Sequence, residues 1–172
     1  MITPDFAKTM ARYNRWQNLS LITAADLLTD AQRWQDRGAV FRSIAETLNH
    51  ILWDDRVWLA RLHGDDATVA QIAARHPYTD TPKDWSIYRQ ERASLDATLV
   101  TWAEGLDARD LAGSTQWIRG TTAVETNVGF NLVHMVIHQT HHRGQVHAML
   151  TQAGPAPGPT DLQMLDVTHG DA

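Results

Sequence analysis

Four long segments with apolar residues at three- and four-residue spacing constrain the fold of this chain more than any other feature. They cover residues 5–28, 41–63, 84–104 and 126–152. Such spacing places the apolar side chains on one face of an α-helix. These faces have to be buried against one another, so we predict an all-α protein built as a four-helix bundle. The whole chain, residues 1–172, is expected to form this single domain.

The connections between these segments are long for a bundle with tight turns. Residues 65–83 contain two Xaa-Pro pairs and are predicted to be irregular, with a short helical turn over 67–74 as an alternative. Residues 111–125 form either a short extended pair or a loop before the last helix. We therefore expect one crossover connection. The tail over 155–172 is expected to be loop-like, with three apolar residues packing back onto the bundle: Leu162, Met164 and Leu165.

Local signals predict where the helices begin and end. Ser43 and Glu46 have the spacing of a capping box near the start of the second helix. Gly64 and Gly154 are placed to end the second and the last helix. Residues 31–38 are predicted to be a plain connection. The apolar face of the first helix is predicted to carry Phe6, Met10, Tyr13, Trp16 and Leu19.

The composition excludes several functional classes. The chain has no cysteine, so it has no disulfide, no cysteine zinc site and no thiol nucleophile of its own. Its net charge of −5 argues against nucleic-acid binding, which usually requires a basic patch. The sequence has neither an apolar run long enough for a membrane span nor the pattern of a signal peptide. We therefore expect a cytoplasmic protein without nucleic-acid or membrane partners.

The histidines are the strongest indication of chemistry. Five of the nine fall within the last helix: His134, His138, His141, His142 and His147. His138 and His142 are one turn apart on one face, with Cβ atoms ~5–6 Å apart. His134 lies one turn earlier on the same side, and His141 lies about 60° away from His138. The spacing therefore leaves four candidate metal ligands and places His147 on the opposite face.

A metal site in a bundle also needs a ligand from a facing helix. His50 is the best distant candidate, because it lies within the apolar pattern of the second helix. The alternative is a structural role, since a single histidine in such a position is often a hydrogen-bonded core or boundary residue. A histidine pair four residues apart is also not rare in helices. The density of histidines in the last helix is what favours metal binding.

Three motifs occur in order along nearly the whole chain. The first is Tyr13-Asn14-Arg15-Trp16-Gln17-Asn18, and the second is Leu48-Asn49-His50-Ile51-Leu52, with Trp58 eight residues after the histidine. The third is His138-Gln-Thr-His141-His142-Arg143-Gly144-Gln145, in which a histidine and three residues precede His-Arg-Gly-Gln. Together they resemble the motifs of the DinB / YfiT-like family of metal-dependent proteins.

The resemblance implies a four-helix bundle, often a homodimer, with a divalent metal on three histidines. Carried over to this chain, the ligands are His50, His138 and His142, and the resemblance sets His134 and His141 aside. Related proteins include S-transferases and isomerases that use low-molecular-weight thiols. The resemblance therefore also implies a possible thiol cofactor and a small-molecule substrate.

Three neutral imidazoles leave the metal with open coordination positions, the pattern of a catalytic site. An all-nitrogen ligand set does not choose between zinc, nickel and iron. Glu46 or Asp54, one turn on either side of His50, could orient a ligand imidazole or be solvated helix charges. Arg143 could bind an anionic substrate or the carboxylate of a cofactor, or could pair with an acidic residue of a neighbouring helix.

The leading hypothesis is a metal-dependent thiol S-transferase whose thiol comes from a cofactor or substrate, because the chain has no cysteine. The first alternative is a metal-dependent hydrolase, which would not require a thiol. The second is a non-enzymatic, metal-binding helical-bundle dimer, which a ligated but sealed metal site would favour.

Overall fold

The computed structural model describes residues 2–74, 83–119 and 121–165, and confirms the prediction of an all-α bundle. Its four long helices are α1 Pro4–Ala25, α3 Ile44–Leu62, α5 Trp85–Glu104 and α7 Val128–Ala153. The shorter elements are α2 Asp30–Trp34, α4 Asp66–Ala73, α6 Ala108–Ala112, β1 Ser114–Arg119, β2 Thr122–Asn127 and a 3-10 helix, Leu162–Met164. None of the helices in the described part of the chain has the length and hydropathy of a membrane span.

Side-chain caps set the ends of the helix that carries His50. The Ser43 hydroxyl accepts a hydrogen bond from the backbone N–H of Glu46 at 3.1 Å and lies 2.8 Å from the Glu46 carboxylate. Ser43 is therefore the N-cap, but the capping box is only half formed, because the Ser43 backbone N–H donates to the Phe41 carbonyl and not to Glu46; α3 begins at Ile44 rather than at residue 41. Gly64, with φ of 68°, follows the end of α3, and Gly154, with φ of 114°, ends α7. Both glycines are in the left-handed region that other residues rarely adopt.

The connections contain more regular structure than the sequence predicted. The segment 31–38 was expected to be a plain connection, but α2 lies there because Thr29 and Gln32 form a capping box. The helical alternative within residues 65–83 is confirmed by α4, whereas the two Xaa-Pro pairs lie outside the described residues. The extended alternative for residues 111–125 is also confirmed, because β1 and β2 form an antiparallel hairpin.

The packing of the long helices brings the two histidine-bearing helices together. Helix α1 packs against α5 and α7, and α3 packs against α7 and α5. The order around the bundle is therefore α1, α5, α3, α7. The connections from α1 to α3 and from α5 to α7 both lead across the bundle, whereas the sequence predicted one crossover. This order places His50 of α3 beside the histidine-rich helix α7.

The buried face of α1 agrees only in part with the predicted apolar face, of which Trp16 is buried. Phe6 and Leu19 are 37% and 54% exposed, whereas Asn14 and Asn18 are 2% exposed. Both asparagines donate hydrogen bonds to the Asp96 carboxylate of α5, at 3.2 and 2.9 Å. Helix α1 therefore buries a polar stripe in its middle and packs apolar residues near its C-terminal end.

This polar stripe belongs to a layer that crosses the bundle. Arg92 of α5 is fully buried, and its guanidinium lies 2.7 Å from the Asp55 carboxylate and 2.8 Å from that of Asp96. Gln139 of α7 donates to the other oxygen of Asp55 at 2.8 Å. The layer thus links all four long helices. Asp55, its member in α3, directly follows Asp54.

The tail after α7 packs back onto the bundle only in part. Leu165 is buried, and Met164 is partly buried. The prediction for Leu162 is wrong, because its side chain is 45% exposed. The described part of the tail is held to α1 mainly by polar contacts, among them the Tyr13 hydroxyl donating to the Thr160 carbonyl at 2.6 Å.

Candidate metal centre

Three imidazoles, from α3 and α7, converge on one point. The Nε2 atom of His138 lies 3.3 Å from Nε2 of His50 and 3.1 Å from Nε2 of His142. Two nitrogens bound to one zinc-type ion at ~2.0–2.1 Å with tetrahedral angles are about 3.3–3.4 Å apart. The two distances from His138 therefore fit ligands of one tetrahedral metal ion, and the ligand atoms of all three residues lie within 4.8 Å of one another, so that the group could hold an ion.

Two of the imidazoles are oriented through their other nitrogen. Nδ1 of His138 lies 3.0 Å from the Asp54 carboxylate, and Nδ1 of His142 lies 3.0 Å from the side-chain oxygen of Gln145. The amide nitrogen of Gln145 faces His141 at 3.1 Å. With the proton on Nδ1 of each ring, the tautomer that these two contacts favour, the two Nε2 atoms would present lone pairs to each other. Such lone pairs repel unless a cation or a proton lies between them.

The third imidazole is held by packing. The ring of Phe41 stacks on that of His50 with centroids 3.8 Å apart and contacts His142 edge-on at 5.2 Å. Nδ1 of His50 is buried and has no hydrogen-bond partner among the described residues. Phe41 therefore closes one side of the cluster and fixes the plane of His50.

Burial and mutual contact favour the neutral form of two of the rings. Burial, together with the neighbouring His142 and His138, lowers the pKa of His50 to about 4. Burial also lowers the pKa of His142. Burial acts in the same direction on His138, but the contact with Asp54 outweighs it, so the pKa of His138 is raised. At neutral pH, His50 and His142 are therefore unprotonated, the state that can bind a metal ion.

The cluster is open to solvent on one side, since 22% of the His138 side chain is exposed. The remaining histidines of α7 lie outside it. His134 is exposed and packs against Trp58, with ring centroids 4.9 Å apart. His141 is exposed, and His147 is partly buried beside a groove between α1 and α7. The structure thus brings together the three predicted residues, and their metal-binding role remains a prediction.

Arg143 contacts α1 rather than the histidine cluster. Its guanidinium donates to the Asn14 side-chain oxygen and, at 3.4 Å, to the Thr140 hydroxyl, and 6% of the residue is exposed. Burial lowers the pKa of Arg143 to about 10. Among the described residues it forms no direct ion pair, because the neighbouring carboxylates Asp55 and Asp96 pair with Arg92. Its binding of an anionic ligand or cofactor remains a prediction.

The two carboxylates that flank His50 have different roles. Asp54 orients an imidazole, which is one of the two roles predicted for it from the sequence. The imidazole belongs to His138 on the facing helix. Glu46 contacts the cap of α3 instead. Sequence reasoning assigned Phe41 to the second helix and missed its contact with His50. The signal available for it was an aromatic residue shortly before the capping serine.

Comparison with known proteins agrees with this architecture. A sequence model described as the DinB family matches residues 1–169. Protein DinB of Bacillus subtilis (strain 168) is 28% identical over 163 residues, which cover 91% of this chain and 91% of the relative. The crystal structure of a DinB-like protein from Bacillus cereus ATCC 10987 has the same fold, with a TM-score of 0.62 at 18% identity, over 84% of this chain and 90% of that chain. Because the family match spans nearly the entire sequence, the chain belongs to the DinB family.

Proposed function

We propose that this protein binds one divalent metal ion through the Nε2 atoms of His50, His138 and His142. The proposal is carried by the convergence of these atoms, with Nε2 of His138 at 3.3 and 3.1 Å from the other two. It is supported by the contacts of Asp54 and Gln145, which orient two of the rings with their lone pairs toward the common point. Membership of the DinB family is compatible with a metal site. Zinc, nickel and ferrous iron all accept such a ligand set.

Metal content tests the proposed ligands. We expect untagged protein to hold about one divalent metal ion per chain by elemental analysis, and the H142A variant to hold less than about a tenth of that. The matched control is H141A, which removes the adjacent, exposed histidine of the same helix. Circular dichroism should show that both variants keep the helical fold. Equal metal contents in the two variants would contradict the ligand assignment.

We further propose that the metal site serves a thiol S-transferase acting on a small electrophile. Three protein ligands leave a coordination position free, and the exposed part of His138 gives access to it. A divalent metal in such a site supplies the Lewis acidity that favours the thiolate form of a thiol. The chain has no cysteine, so the thiol comes from a small molecule.

The residues around the cluster orient the proposed metal ligands and exclude water from one side. Asp54 and Gln145 keep the rings of His138 and His142 in place, and Phe41 keeps water from one side. In the transfer step the thiolate sulfur forms a bond to the electrophilic carbon of the substrate. The leaving group departs with its bonding electron pair, and the proton of the thiol passes to solvent.

A thiol requirement tests this reaction class. Conversion of 1-chloro-2,4-dinitrobenzene, followed by absorbance, is to be measured with cysteine, glutathione and coenzyme A as thiols. With at least one of these thiols, we expect the wild-type protein to convert the substrate. The rate with that thiol should fall about 100-fold or more in H142A and stay at the wild-type value in H141A. A rate unchanged in H142A would contradict the transferase. Ester hydrolysis that needs the metal but no thiol would favour the hydrolase instead.

A further inference from the structure

A second site is formed on another side of α7. A groove of about 520 Å³ lies between α1 and α7. Its polar lining consists of Tyr13, Gln17, Thr140, Arg143, His147 and Thr160. His142 faces His50 of α3, whereas the next residue, Arg143, faces Asn14 of α1. The groove and the histidine cluster are therefore separate sites on one helix.

The tail after α7 forms the rim of the groove. The Gln17 side chain donates to the Pro159 carbonyl at 2.9 Å, and the backbone N–H of Gly158 donates to the Ser20 hydroxyl at 2.8 Å. With the bond from the Tyr13 hydroxyl to Thr160, these contacts fix the tail along α1. The groove is thus preformed, as ligand sites usually are.

Arg143 gives the groove a positive charge, and the carboxylates that act on it electrostatically, Asp55 and Asp96, lie outside the lining. The described residues that line it include Arg143 and His147 but no carboxylate. Asp161, farther along the tail, acts on Tyr13 electrostatically but does not line the groove. The hydrogen bonds to Asn14 and Thr140 use two of the five N–H groups of the Arg143 guanidinium. The guanidinium therefore has donors for an oxyanion, which it can bind in a two-point geometry.

Two further features of the groove, an apolar wall and open space beside Arg143, suit a ligand with an apolar body. Leu21 and Ala148 give the groove an apolar wall. Gly144, directly after Arg143, is exposed, and a Cβ atom placed there would meet no other atom within 4 Å. Glycine inside a helix is unfavourable for the helix itself, and a side chain at this lining position would occupy part of the groove.

We propose that the groove between α1 and α7 binds a small organic carboxylate. The carboxylate pairs with Arg143, and the apolar body lies against Leu21 and Ala148. The site uses none of the three histidines, so it binds its ligand whether or not a metal ion is present.

Sodium benzoate is the probe, with its binding measured by saturation-transfer NMR on the wild-type protein. We expect a dissociation constant on the order of 1 mM, unchanged after treatment with EDTA, and no binding of the uncharged analogue benzamide. Arg143→Gln should abolish binding. Gly144→Leu, which fills the groove without removing a contact, should raise the dissociation constant at least about 10-fold while the metal content stays the same.

The control is Gln152→Leu, which places the same side chain on an exposed position of α7 outside the groove. It should bind benzoate as the wild type does. Loss of binding on EDTA treatment would overturn the proposal, because the carboxylate would then be bound to metal. Equal binding of benzoate by Gly144→Leu and wild type, or equal binding of benzamide, would overturn it as well. If the protein holds no metal as purified and takes up none on reconstitution, yet binds benzoate, only the proposed metal site is refuted.

Discussion

Replacing Arg92 by methionine is expected to lower the free energy of unfolding by about 3–5 kcal/mol. Arg92 is fully buried between Asp55 and Asp96, at 2.7 and 2.8 Å. Burial disfavours its charge, but the two carboxylates outweigh burial and raise the pKa of Arg92 above its ordinary value. The guanidinium is therefore charged in the folded protein. Its removal leaves two buried carboxylates without a counter-ion, and urea denaturation measures the loss.

The matched control is R89M, one turn earlier on α5. Arg89 lies 3.5 Å from Asp26, and both side chains are partly exposed to solvent. An ion pair of this kind contributes at most about 1 kcal/mol. If R92M and R89M were destabilised equally, the buried layer would contribute no more to stability than a surface pair.

The same polar layer shows where prediction from the sequence fails. Apolar spacing was sufficient to predict the four helices, because burying an apolar face is the main force that assembles a bundle. It predicted the buried face of α1 only in part: Trp16 is buried as expected, but Asn14 and Asn18 were missed, because a hydrophobic pattern assigns polar residues to solvent. Asn14 and Asn18 are buried because Asp96, on another helix, accepts their hydrogen bonds. Their partner is distant in sequence, and no local signal identifies it.

The candidate metal centre was more predictable than the core. The four-residue spacing of His138 and His142 follows from helix geometry alone. That geometry left His134 and His141 open, and the family resemblance, not the spacing, set them aside. Only the packing of α3 on α7 shows which imidazoles meet His50. For the same reason the sequence could place Asp54 near the site but could not identify His138 as its partner.

Replacing Asp54 by asparagine is expected to weaken metal binding about 10- to 100-fold. The Asp54 carboxylate lies 3.0 Å from Nδ1 of His138 and is mostly buried. Its negative charge keeps the proton on Nδ1 and makes Nε2 a stronger donor to a metal ion. Asparagine keeps the size of the side chain and removes the charge. Competition with a chromophoric chelator for zinc, measured on the untagged protein, gives the change in affinity.

Glu46→Gln separates this effect from a general loss of negative charge near His50. Glu46 lies on the same helix, one turn before His50, but its carboxylate contacts the Ser43 hydroxyl at 2.8 Å. Its removal should leave metal affinity within about twofold, because no ligand imidazole depends on it.

In metal-free protein, Asp54→Asn should also lower the pKa of His138, measured by NMR titration, since burial then acts without the opposing carboxylate. If Asp54→Asn lowered the pKa of His138 but left the metal affinity unchanged, Asp54 would set the charge of His138 without strengthening its bond to a metal ion.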